Sequence, residues 1–83
     1  MSYAIDIYVD WNTQDDTGLP WSFADQAADP SRIVPGALII AGHADSIAVV
    51  EVVDRDVDGV VHLRMLPGTV AENEHLLTRS QTV

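Results

Sequence analysis

The sequence predicts an all-β fold, a small barrel or rolled antiparallel sheet, and three observations carry that expectation. The runs "IAVVEVVD" and "VVHLRML" are β-branched and broken only by single polar residues, as half-buried strands are. Turn formers punctuate the chain at Pro35-Gly36, Asp58-Gly59 and Pro67-Gly68, so every apolar run between them is short. The 47% hydrophobic content supplies one core without a disulfide or a metal, although a chain of 83 residues buries only about 60% of its unfolded surface. One domain over residues 1–83 follows, with the barrel at 3–66.

In chain order, residues 3–9 alternate Tyr3, Ile5, Ile7 and Val9 against Ala4, Asp6 and Tyr8, the period of a half-buried first strand. "NTQDDTGLP" is a loop by its density of turn residues. "WSFADQAADP" suits a short helical turn near residues 22–28, with Ser22 as N-cap and Pro30 as its end. Pro35-Gly36 is a type II turn signal, because proline presets the first turn dihedral and glycine supplies a positive φ at the next. Ala37 to Ala41 is then a buried strand, closed by Gly42 and the polar tip "HADS". After Pro67-Gly68, Thr69 and Glu72 stand at capping-box spacing, which favours a helical turn within 69–79 over a strand. Residues 80–83 are expected to fray.

The stretch "DRDVDG" joins the two clearest strands, and its register can be worked out. With "DVDG" as a four-residue connection, Arg55 closes opposite Val60, and paired numbers keep a constant sum along the ladder. Val52 then faces Leu63 and Val50 faces Met65 on one apolar side, while Glu51 faces Arg64 as an opposite-charge pair. That pair contributes at most about a kcal/mol but pins the register, since a slip of one residue would set Val52 against Arg64.

Composition excludes several classes of activity. There is no cysteine, so disulfides, thiol nucleophiles and cysteine-bound zinc are absent. Thirteen acids against four arginines and no lysine give a formal net charge of -9. That field repels phosphate backbones and anionic membranes, so neither nucleic acid nor membrane is expected as a direct partner. Basic groups are attracted. No run approaches the roughly 18 apolar residues of a membrane span, and Met1 is followed by polar and acidic residues rather than a signal-peptide pattern, so a cytoplasmic location is expected.

Asp54, Asp56 and Asp58 with Gly59 match the opening ligands of a calcium loop. The position that should carry a bidentate glutamate is Met65, and strands flank the loop where helices are needed, so a turn is favoured over a metal site. His43, His62 and His75 fit no local ligand spacing, and His62 is expected on the outer face of its strand near Val53. None of the serines sits in a nucleophile-elbow context, and the many carboxylates have no evident cleft to shift a pKa. No phosphate-binding glycine loop is present. No catalytic residue and no cofactor are therefore assigned.

All five aromatics fall in the first 23 residues, and the first 31 carry six acids and no base. Trp and Tyr anchor interfaces by joining large area to a polar tip, and Trp11, Trp21 and Phe23 flank Asp15 and Asp16 in the acidic segment. The competing reading is that these rings cap the open end of an aliphatic barrel. In layout, an acidic aromatic excursion after the first strand, the Pro35-Gly36 entry and a tight meander, residues 3–66 resemble the SH3-like barrels. The chain departs from peptide-binding members in lacking paired tryptophans, with Ala48-Val49 in that place. It also looks like short acidic proteins of high-GC bacteria. The expectation is a non-enzymatic module that engages a protein or peptide through Trp11, Asp15, Asp16, Trp21 and Phe23. Two alternatives stay open: an acidic antagonist of a basic protein, as a nucleic-acid mimic or antitoxin-like factor, and a weak metal-binding domain or small enzyme.

Overall fold

The computed structural model describes residues 3–77, and the expected frayed end at 80–83 and the end of the 69–79 segment lie outside them. Five strands form one sheet: β1 (Ile7–Tyr8), β2 (Trp21–Phe23), β3 (Leu38–His43), β4 (Ser46–Arg55) and β5 (Val60–Met65). Their order is β1-β3-β4-β5-β2, and the sheet curls until its two end strands nearly meet. Two 3-10 turns, Ala24–Gln26 and Pro30–Arg32, follow β2, and a short helix, α1 (Val70–Asn73), with a 3-10 turn at Glu74–Leu76, follows β5. The expected all-β barrel-like sheet is what the chain forms.

The first strand is shorter than its alternation suggests. Only Ile7 and Tyr8 make regular pairing, and they run parallel to Ala41 and Gly42 of β3. The alternation itself holds at this point, with Ile7 and Val9 buried and Tyr8 half exposed. Every other strand pair in the sheet is antiparallel.

The segment expected to be helical opens as a strand. Trp21, Ser22 and Phe23 pair antiparallel with His62, Val61 and Val60, so Ser22 is a buried strand residue and caps nothing. Helical geometry starts after it, at Ala24, whose amide donates to the Gly59 carbonyl and ties the turn to the β4-β5 hairpin. Pro30 begins the second turn instead of ending the first. Its missing amide costs nothing at that first position, and Asp29 accepts from the Ser31 amide as the cap.

Pro35-Gly36 behaves as its chemistry requires. Gly36 has φ 90°, and the Ala37 amide donates to Val34 across the turn. Strand β3 then runs two residues further than expected, through Gly42 to His43, and only Ala44 and Asp45 make the hairpin tip. Gly42 is inside the ladder because the chains come too close for a side chain: a Cβ there would lie 2.1 Å from the Ser46 carbonyl oxygen.

The β4-β5 register agrees with the worked one where it matters for the core. Val50 pairs with Met65, Glu51 with Arg64 and Val52 with Leu63. Between Val52 and Asp54 a bulge adds one residue to β4, so Arg55 stands opposite Val61 and not Val60, and His62 faces Asp54. Met65 pairs with Val50 as expected, but it is half exposed and not part of the buried core. The Glu51–Arg64 pair forms at 3.6 Å.

Two apolar clusters explain why β3 and β4 read as nearly continuous apolar runs. The inner cluster gathers Ile7, Val9, Ile33, Ile39, Val50, Val52, Val61 and Leu63 inside the curl. Ile40 and Val49 point the other way and are covered by Val70 and Leu77, with Tyr3 and Leu66 at the margin. A strand buried on both faces loses its polar alternation. The cover depends on a complete capping box, in which the Glu72 amide donates to Thr69 Oγ1 and the Thr69 amide donates to Glu72 Oε1.

Candidate functional site

Strand alternation decides which aromatics the fold presents. Ser22 points inward, and its neighbours Trp21 and Phe23 therefore share the outer face of β2. Their rings meet edge to face at 5.4 Å, and Phe23 stays 45% exposed. Tyr8, outward on β1, joins them across the seam between the end strands, where a hollow of about 180 Å³ is lined by Tyr8, Asp10, Thr13, Trp21 and Phe23.

Phe23 is shared with a second, larger hollow. This one, about 330 Å³, lies between the first 3-10 turn and the β4-β5 tip, with Asp25, Arg55, Val57 and Asp58 among its walls. Val57 is fully exposed at the tip. Arg55 is partly committed, because its Nη1 donates to the Pro30 and Ile33 carbonyls. Tyr8, Trp21 and Phe23 thus make an aromatic ridge with acids near it: Asp10 on one side, Asp25 and Asp58 on the other.

Of the residues expected to act together, the structure joins only Trp21 and Phe23. Trp11 packs against the inner core, and its indole N–H donates to the Ser46 carbonyl at 2.8 Å, so it holds the loop entrance to the β3-β4 hairpin. Asp15 organises its own loop. Its Oδ1 accepts from the Thr17 amide, the Thr17 hydroxyl and the Leu19 amide. The Thr17 hydroxyl bond leads the causes that hold its carboxyl below the ordinary aspartate value, and the two amides and His62 add to it. Asp16 is exposed on the same loop. Sequence reasoning missed Tyr8, assigned to the first strand without a surface role, and Val57, the one apolar residue of "DVDG". An apolar residue at a turn tip is a signal that was available.

The acids of "DRDVDG" have local work. Asp56 Oδ1 accepts from the Asp58 and Val60 amides and shapes the turn, while Gly59 takes φ 87°. Asp54 Oδ1 lies 2.7 Å from His62 Nδ1, and Asp15 Oδ2 lies 3.6 Å from His62 Nε2. Among the described residues no group of three or more His, Asp or Glu side chains is gathered for a metal ion. No helix among them is long and apolar enough to cross a membrane.

These features define a small barrel-like β domain with an outward aromatic ridge. Comparison of the chain with protein-family models, with curated proteins and with solved structures found no match in any of the three.

Proposed function

We propose that the domain is a non-enzymatic binding module that takes a protein or peptide partner on the ridge of Tyr8, Trp21 and Phe23. The observation that carries this reading is where the large side chains go. A domain of this size needs bulk for its core, yet the largest fully buried side chains are aliphatic, led by Ile7, Ile33, Ile40 and Leu63. Tyr8 and Phe23 are about half exposed and Trp21 is partly buried beside them, over two hollows, where aromatic area anchors a partner. Capping the barrel accounts for Trp11 but not for these three.

The partner is a segment with basic and apolar side chains side by side. Asp10 lines the smaller hollow, Asp25 and Asp58 outnumber Arg55 in the larger, the whole chain carries -9, and aromatic faces attract cations. The nearly closed sheet is loosely consistent with an SH3-like layout. Capture from a native lysate tests the reading with three baits: the wild type, Phe23→Ser, and Asp15→Asn/Asp16→Asn. Proteins lost with Phe23→Ser support the ridge. Proteins lost only with the acid variant replace it with an acidic antagonist of a basic protein, whose binding follows charge.

A further inference from the structure

We infer that the smaller hollow is a seat for a quaternary ammonium group, the fully N-methylated head carried by choline or by a trimethylated lysine side chain. The inference rests on the reading of the ridge as a binding surface and names what its seam end takes. Tyr8, Trp21 and Phe23 all line this hollow of about 180 Å³, and among the described residues Asp10 is the only charged member of its wall. Arg55 lines the other hollow and not this one. A cation is drawn to aromatic faces and to the carboxylate, and no positive charge in the wall opposes it. Alkylation follows from what the wall lacks. It is mostly apolar, Asp10 already accepts from the Asn12 amide, and the Ser22 hydroxyl is given to the Tyr8 carbonyl. A primary ammonium brings three N–H donors that lose water on entry, and such donors cost free energy when left unmet. A quaternary ammonium brings the same charge and no donor.

The rings are set before a ligand arrives. Trp21 and Phe23, two residues apart on β2, stand at 86° to each other and so make the two sides of a corner. Tyr8 is held from its own strand: its carbonyl accepts from Ser22, and its ring meets that of His43, which is outside the hollow, at 5.9 Å. Little ordering is left to oppose binding. A neutral group of the same shape gains only the apolar contact, so charge without N–H donors is what distinguishes the ligand.

The test is a nuclear magnetic resonance titration of the whole chain at one ionic strength, following the Trp21 indole N–H and the Tyr8 and Phe23 amides. The probes are choline, its neutral analogue with carbon in place of the nitrogen, and a capped glycine-lysine-glycine peptide with the lysine plain or trimethylated. The quaternary member of at least one pair should bind about fivefold or more tightly than its counterpart, as a cation on aromatic faces implies. A preference confined to the peptide assigns the ligand to a modified protein, and choline binding as tightly as the peptide assigns it to a free ammonium compound; both sustain the seat. Tyr8→Leu and Phe23→Leu should each weaken the quaternary probe about fivefold, so the result does not depend on one variant folding. No preference within either pair overturns the seat. If the plain peptide then moves the ring signals as strongly as the trimethylated one, the ridge still stands as a binder of basic segments. Ring signals that no probe moves overturn the seat alone where Phe23→Ser still loses captured proteins, and the ridge with it where Phe23→Ser loses none.

Discussion

The Ser22 hydroxyl donates a 2.6 Å hydrogen bond to the Tyr8 carbonyl, and so ties together the two strands at opposite ends of the sheet. Neither strand is long, and β2 and β1 are not neighbours in the ladder. The bond also fixes the ridge, since Tyr8 supplies the acceptor while Ser22 sits between Trp21 and Phe23.

Ser22→Ala removes that donor at a buried position and leaves the Tyr8 carbonyl without it. The expected loss is about 1–2 kcal/mol. Urea denaturation should show a lower midpoint with an unchanged slope. An unchanged midpoint would mean that the seam is held by other contacts.

Gly42 and Gly18 make an opposed pair. At Gly42 an added Cβ would run into the Ser46 backbone, and φ is 141°, so Gly42→Ala should cost about 3 kcal/mol or more. Gly18→Ala meets nothing within 4 Å and has only its φ of 85° against it, so it should cost about 1 kcal/mol. Thermal melts of the two variants should differ accordingly, and similar melts would put the close approach of β3 and β4 in error.

Stability should fall at both ends of the pH scale for separate reasons. Asp15 and Asp29 are held below 3.8, first by the hydroxyls of Thr17 and Ser31. A carboxyl with a depressed folded value contributes stability above its unfolded value and loses it as pH falls through the folded one, so this loss comes below about pH 4. Tyr3 is raised above 10.0, first by its hydrogen bond to Glu74. Its contribution is complete below 10.0 and lost as pH rises through the higher folded value. Melts across pH should show both limbs, with Thr17→Val reducing the acid limb and Tyr3→Phe the alkaline one. A Thr17→Val acid limb identical to the wild type would contradict the role given to Asp15.

Thr69→Ala should destabilise the domain by about 1 kcal/mol, the usual worth of an N-cap. The effect should concentrate on the outer cluster. Hydrogen exchange should quicken at Val70 to Leu77 more than at Val52 or Leu63, and a uniform change would deny that α1 is a separate cover.

The sequence showed most of the hairpin and little of the seam. Glu51 and Arg64 could be set opposite one another because opposite charges and apolar partners agree on one register. The bulge at Val53 could not be read, because a constant sum assumes an unbroken ladder. Trp21 to Phe23 look helical locally, with a serine ahead of Ala-Asp-Gln, and became a strand only because the edge of β5 was free to pair with them. The parallel partner of β1 was equally hidden, since long-range pairing leaves no local mark. For the site, the sequence named Trp21 and Phe23, but it could not separate them from Trp11, because strand alternation and the Ser46 carbonyl decide which ring turns inward.

The ridge is the central claim, and affinity for a peptide chosen without bias tests it most directly. A displayed random library is selected against the wild-type domain, and the best peptide is measured by calorimetry against the wild type and Phe23→Ser. Because Phe23 is 45% exposed and packs edge to face on Trp21, its replacement should cost about 0.5–1.5 kcal/mol, and the measurement is made where both proteins are folded. The selected peptide should place a basic residue beside an apolar one and bind Phe23→Ser at least about tenfold more weakly, as an aromatic anchor implies. Equal affinity for the two proteins, or a selection that enriches no peptide, would contradict the account.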